Sequence, residues 1–202
     1  MKNGLYIILI VALAFIVSCK GDDDTVKENQ KNSIVKYLEN NRRLIPVERK
    51  DSVIEENPKF YSYFGDKAYF HVPTFYDSLR ESKREIFAGN VVKLRFTAYV
   101  FSSSEPDISS AYWSNDSLVI NRLQNSAKLA PVELNWSKEP LEVVVGSGTI
   151  IRGVDEALIG CRDQDSLQVY MSFNMAYGKN IIGIVPKRSA VAWYIKILGV
   201  YE

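Results

Sequence analysis

The chain has 202 residues, with 25 basic and 24 acidic side chains, one histidine and two cysteines; 47% of it is hydrophobic and 24% charged. That balance excludes a disordered tail, a collagen-like fibre and a polytopic membrane protein, and at about 100–200 residues per domain it holds one domain with at most a small appendage. A net charge of +1 gives no clustered basic surface for nucleic acid, two cysteines and one histidine fall short of a four-ligand zinc site, and a nucleophilic triad would have to run through His71; no cofactor, metal or nucleic-acid partner is expected.

Met1-Lys2-Asn3 is a short basic start, and Leu5 to Val17 is an apolar run of 13 residues, below the about 18–20 that a membrane-spanning helix needs. The run ends in Ile16-Val17-Ser18-Cys19, which resembles the lipobox of bacterial lipoproteins. An ordinary signal peptide with an incidental cysteine is the other reading. The lipobox reading implies that residues 1–18 are removed as a signal peptide and that Cys19 is lipidated as the new N-terminus. The remainder then carries balanced charge, and several acyl chains hold it to a bilayer. Lys20 followed by Asp22-Asp23-Asp24 resembles the start of surface-exported lipoproteins, so the expected location is the cell envelope, on the periplasmic or surface face of the outer membrane. Cys161 has no intramolecular disulfide partner left and is expected to be buried.

Residues 20–30 are polar without an apolar period and read as a tether, so 19–30 is assigned as the lipidated tether. Ile34, Tyr37 and Leu38 predict a helix over about 31–41, broken off by Pro46 and Pro58. Eight aromatics lie between Phe60 and Tyr76; packing of an N-terminal extension (31–90) on the main domain is favoured over a ligand-stacking platform, because no basic residue interleaves the rings. Lys67 to Val72 reads as a strand closed by Pro73, with His71 in it as a packed or surface residue.

Further on, Val92, Leu94, Phe96, Ala98 and Val100 alternate with polar or aromatic neighbours, which is strand period. A polar loop and a helix near Leu118 to Leu129 follow. Leu141 to Val145 is a short strand ending in Gly146-Ser147-Gly148, and Arg152 to Gly160 fits a two-turn helix stopped by glycine. Two more alternating strands run through Leu167–Phe173 and Val191–Ile197. The expected fold is α+β, an antiparallel sheet wrapped around a short helix.

Gly146-Ser147-Gly148-Thr149-Ile150-Ile151-Arg152-Gly153, Ala157-Leu158, Gly160-Cys161, Ala176-Tyr177-Gly178, Val185-Pro186 and Ser189-Ala190-Val191 follow one another in an order and spacing that resembles the C-terminal half of an FKBP-type (FK506-binding-protein-like) peptidyl-prolyl isomerase, over about residues 141–201. The FKBP-like domain would span 91–202, with a long insertion at about 102–140. The resemblance implies an apolar pocket at Phe96, Leu141, Ile150, Ile151, Val154, Tyr177, Val185 and Trp193, in which the Ile151 backbone N–H and the Tyr177 hydroxyl hold substrate carbonyls. The family's Phe-Asp pair falls in the insertion, where Trp113 and Asn115 or Asp116 are candidates; Asp116 is taken as the acid and Trp113 as a pocket wall. The same apolar set at strand spacing also reads as plain core.

Such a site needs no charged catalyst. The planar X-Pro amide is held by resonance behind a barrier of about 18–20 kcal/mol, and a dry pocket that fits the twisted amide better lowers it. Three departures bear on this: Val154 stands where the family usually has tryptophan, the family's Phe-Asp pair falls inside the enlarged loop, and the loop after Tyr177 (Lys179 to Ile184) is short, with one proline, Pro186, where the family often has two; Trp193 also replaces a smaller aromatic on the last strand. Three readings are carried forward: an envelope-anchored prolyl isomerase acting on exported chains, a non-catalytic FKBP-like binding module or chaperone, and a structural envelope lipoprotein.

Overall fold

The computed structural model describes residues 21–47, 57–64, 68–126 and 136–202. In chain order the elements are α1 (helical from 21 to 36, its last turn Tyr37–Asn41 wound as π-helix), β1 (Ile45–Val47), β2 (Phe60–Phe64), β3 (Ala68–His71), β4 (Val91–Val100), β5 (Ala111–Ser114), α2 (Ser117–Gln124), β6 (Leu141–Val144), α3 (Arg152–Leu158), β7 (Ser166–Met171) and β8 (Val191–Tyr201). The strands form one sheet in the order β1-β2-β3-β7-β8-β4-β5, with β6 also on β4. All pairs are antiparallel except β1 with β2. The expected α+β architecture is present, with the N-terminal region and the long insertion built onto it.

Strand alternation sorts the side chains to two faces. On β7 and β8, Val169, Met171, Val191, Trp193 and Ile195 face α3 and form the main core with Val154, Ala157 and Leu158. Tyr170 and Ala192 face the other way and pack with Ile34, Tyr37 and Leu38 of α1. The sheet is therefore covered on both sides. Cys161 is buried in the main core, its Sγ donating to Ala157 O at 3.2 Å. His71 is buried too; its Nδ1 donates to Phe60 O at 2.6 Å, and burial holds its pKa below the usual 6.5.

The aromatic stretch is packing. Phe60, Tyr61, Tyr69 and Phe70 are buried, and Phe60 meets Phe75 edge-on at 4.7 Å. Strands β1 and β2, which no clean alternation announced, add this stretch to the edge of the same sheet through β3 and β7. The helix expected over 31–41 runs back to at least residue 21, so the polar segment from 21 to 30 is helical. A stripe of Val26, Gln30, Ile34 and Leu38 faces the domain at helical spacing, and the polar half of it is held by tertiary contacts that propensity does not report.

Two local devices set the site's backbone. Strand β4 is paired by β6 over Val91–Leu94 and by β5 over Thr97–Tyr99, which leaves its edge open between them. Buried Asn115 fills that gap: its Oδ1 accepts from Phe96 N at 2.7 Å, and its Nδ2 donates to Leu94 O at 2.8 Å and Glu139 O at 3.0 Å. On the other side, α3 approaches β7 at Gly153, where a Cβ would lie 2.7 Å from Met171 Sδ and 3.2 Å from Met171 Cβ. Asp155, two residues later, accepts from Gly146 N at 2.8 Å and Gly148 N at 3.3 Å, fixing the turn before the helix; both glycines sit at positive φ.

Gly153→Ala overpacks the α3–β7 contact, and chemical denaturation is expected to show a loss of about 1–3 kcal/mol. Asn115→Ala leaves buried backbone groups of β4 without partners, with an expected loss of about 1–3 kcal/mol in the same measurement.

Candidate functional site

The site is built on a row of residues running across four strands. Ala98 on β4 pairs with Trp113 on β5 and with Trp193 on β8, and Trp193 pairs in turn with Val169 on β7. Small neighbours on both sides leave room for the indole of Trp193, which is 0% exposed. Phe96, two residues before Ala98 on the same face, stacks on it at 4.6 Å and 13°, and Trp113 stands edge-on to both, at 4.7 Å from Phe96 and 5.6 Å from Trp193. Edge-to-face and offset pairs of this kind contribute about 0.5–1.5 kcal/mol each beyond burial.

A buried indole N–H needs an acceptor. It finds Tyr112 Oη at 2.7 Å, and the Tyr177 hydroxyl donates to the same oxygen at 3.2 Å. Tyr112 reaches this face because the β4–β5 register slips between Ala98 and Tyr99, where Trp113 pairs with Ala98 and Ala111 with Tyr99, leaving Tyr112 as the extra residue of a bulge. Burial pushes both phenols up, that of Tyr112 far above the ordinary value, with Tyr177 adding to it; the bond to Tyr112 opposes the rise at Tyr177. Both are neutral hydroxyls at physiological pH and serve as hydrogen-bonding groups, not as bases.

The expected pocket residues come together, and the structure sorts them. Phe96, Val154, Val185 and Trp193 are fully buried and form the backing, whereas Trp113, Leu141, Ile150, Ile151 and Tyr177 are half-buried on top of that core. Phe96, Trp113 and Leu141 also line an open groove of about 350 Å³ with Asn115, Glu139 and Pro140. Ile151 is the residue before α3, outside the helix's internal N–H ladder, which suits a backbone donor. Asp116 is placed differently from the expectation: its carboxylate accepts from Leu118 N at 2.8 Å as the N-cap of α2, so it is committed to the insertion's helix. Asn115, the neighbouring candidate, is the β4 clip. Cys19 lies outside the described residues. Tyr112 is the member of this cluster that sequence reasoning passed over; it stands beside Trp113 in a segment already singled out, but only the bulge turns it to the side of Trp193 and Tyr177. Among the described residues, no group of three or more His, Cys, Asp or Glu side chains is placed to hold a metal ion.

Residues 122–198 match the family model described as FKBP-type peptidyl-prolyl cis-trans isomerase. FK506-binding protein 1A of Neurospora crassa is 32% identical over 63 residues, 31% of this chain and 52% of the relative, so the chain spans about half of that protein's length. FK506-binding protein 1B of Aspergillus fumigatus is 26% identical over 117 residues, 56% of this chain and 81% of the relative. Among solved structures, the three FKBP domains of wheat FKBP73 superpose with a TM-score of 0.49 at 15% identity, covering 70% of this chain and 50% of that one. The family-model match falls on the part of the chain that holds the ordered blocks from Gly146 to Val191 and the sheet wrapped on α3, so the C-terminal part of the chain is similar to FKBP-type domains.

Proposed function

We propose that this chain is an envelope-anchored FKBP-type protein that binds proline-bearing segments of exported polypeptides and isomerises their X-Pro bonds at the aromatic site on β4 and β8. The observation that carries this reading is the convergence of half-buried Trp113 and Tyr177 over the buried stack of Phe96 and Trp193, with Phe96, Trp113 and Leu141 lining an open groove. An apolar wall of this kind takes a prolyl ring and strips water from the amide. Rotation then costs less, because the planar amide's charge-separated resonance form loses the water that stabilised it, whereas the less polar twisted amide loses little. The Ile151 N–H and the Tyr177 hydroxyl are the donors for the flanking carbonyls. No proton needs to be moved, which agrees with a site of neutral phenols and one distant histidine.

The bond from Tyr177 to Tyr112 favours a second reading, a module that holds a polypeptide without turning it over. In that resting arrangement the Tyr177 hydroxyl is committed within the protein. A protease-coupled assay of the full chain on a proline-containing peptide separates the two: turnover above buffer supports the isomerase, peptide binding with turnover equal to buffer selects the holding module, and neither binding nor turnover contradicts both.

Tyr112→Phe keeps the ring but removes the competing oxygen. It is expected to raise kcat/KM for the same peptide by about 3–10-fold as the Tyr177 hydroxyl is released, while unfolding shows a loss of about 1–3 kcal/mol from the unpaired Trp193 indole. A fall in kcat/KM in protein that remains folded would contradict this role for Tyr112.

A further inference from the structure

Helix α1 is clamped to the loop that carries Tyr177 and Val185. Asp22 and Asp23 each lie 2.6 Å from an Arg188 guanidinium nitrogen, and Asp23 also pairs with Lys179. Two turns on, Gln30 donates to Arg188 O at 2.7 Å and accepts from Phe173 N at 2.9 Å. Two of the three acids at the start of the described helix, Asp22 and Asp23, are thus matched by bases of the loop, while Asp24 pairs with Lys27 of the helix itself.

Between the clamped cations the loop turns back on itself, with Ile182 and Val185 exchanging backbone hydrogen bonds at 3.1 and 2.8 Å around Gly183 at positive φ. This turn pushes three isoleucines into solvent: Ile181 is 70% exposed, Ile182 41% and Ile184 59%. Leu79 and Leu118 are exposed as well, but neither belongs to a run of exposed apolar residues along the chain. Lys187 lies exposed on the loop's far flank. Cys19 precedes Asp22 by three residues, so at most about 11 Å of extended chain separates their Cα atoms. Whatever holds Cys19 to a bilayer therefore also tethers, through the clamp, the loop that carries the isoleucines.

We infer that the Ile181–Ile184 turn is a membrane-contacting surface, whose side chains enter the headgroup–acyl boundary of the bilayer that anchors Cys19. The inference rests on the anchored reading above. The clamp neutralises Asp22 and Asp23, so no uncompensated acid of that pair faces a lipid surface, and the loop offers apolar side chains with a flanking lysine, the pattern of interfacial insertion. Tyr177 is four residues before Ile181, so the contact would set the rim of the candidate site close to the membrane surface.

The test uses the full, acylated chain on phosphatidylcholine–phosphatidylglycerol vesicles, with an environment-sensitive fluorophore at Ile182→Cys, a second at Ile181→Cys, and a control at Leu118→Cys; Cys161 is buried and Cys19 acylated, so labelling is selective. Nitroxide lipids are expected to quench the label at 182 and at 181 at least about threefold more than at 118, with blue-shifted emission. Equal quenching at all three positions on vesicle-bound protein overturns the loop proposal and leaves the anchor intact. Quenching that is absent with lipid while a proline peptide shields the 182 label assigns the loop to polypeptide, and also overturns it. Wild-type protein that takes up no acyl label and fails to float with vesicles, behaving as Cys19→Ser does, overturns the anchored reading and the loop proposal together.

Discussion

The indole N–H of Trp193 is the constraint around which the rest of the domain is arranged. Trp193 sits on β8, paired on one side with β4 and on the other with β7, and is fully enclosed. A donor enclosed in this way costs about 1–3 kcal/mol if it finds no acceptor, more than a single aromatic contact returns. The acceptor comes from the insertion, through the bulge at Tyr112. The long segment between β4 and β6 is therefore part of the core's hydrogen-bond accounting: it supplies the partner for Trp193, the Trp113 wall and the Asn115 clip for β4. Val154 on α3 and Trp193 on β8 are both fully buried in the same core, the small side chain on the helix and the large ring on the strand.

The opposite face of the sheet follows a different logic. There α1 buries Ile34, Tyr37 and Leu38 against Tyr170 and Ala192, and its polar groups meet at Glu105. Tyr37 donates to that carboxylate, as do Arg42 at 3.0 Å and Tyr194 at 3.1 Å, while Tyr194 shares a hydrogen bond of 2.8 Å with Tyr170. Partial burial alone would raise the Glu105 pKa; the Tyr37 and Arg42 hydrogen bonds outweigh it and hold the carboxyl below its usual range. Glu105 belongs to the insertion, so that one segment ties down both faces, closing the aromatic site on one and securing α1 on the other. The helix in turn reaches the Tyr177 loop through Asp22, Asp23 and Gln30, which makes helix, loop and site mechanically continuous.

Much of this was legible in the residues. Alternation located β4 almost to the residue and the first seven residues of β8, the glycine-bounded segment located α3, and the eight side chains that the resemblance implied, from Phe96 to Trp193, lie in or against one core. What stayed hidden has physical reasons. Tyr112 follows Ala111 and precedes Trp113 in an ordinary strand pattern, and a one-residue bulge, which leaves no compositional mark, turns it to the other face. Asp116 matched the expectation of a site acid, but a carboxylate before Ser117 serves equally well as a helix cap, and local geometry took it. Residues 21–30 lack an apolar stripe because their helix is held by ion pairs and by Gln30, interactions with partners 140 or more positions away along the chain that no local period records. Strand β1 is three residues long and pairs in parallel at the sheet edge, too short for any period.

The central claim is that a proline-bearing polypeptide is received on the α3 face of the sheet, at the aromatic group centred on Trp193 and Tyr112. Titrating a proline-containing peptide into isotope-labelled full chain, and following the indole N–H of Trp113 and Trp193 with the ring signals of Tyr112, Tyr177, Tyr170 and Tyr194 by NMR, tests it directly. The account predicts saturable shifts at Trp113, Trp193, Tyr112 and Tyr177 while Tyr170 and Tyr194 on the opposite face stay in place. Shifts confined to Tyr170 and Tyr194, or none at saturating peptide, would contradict it.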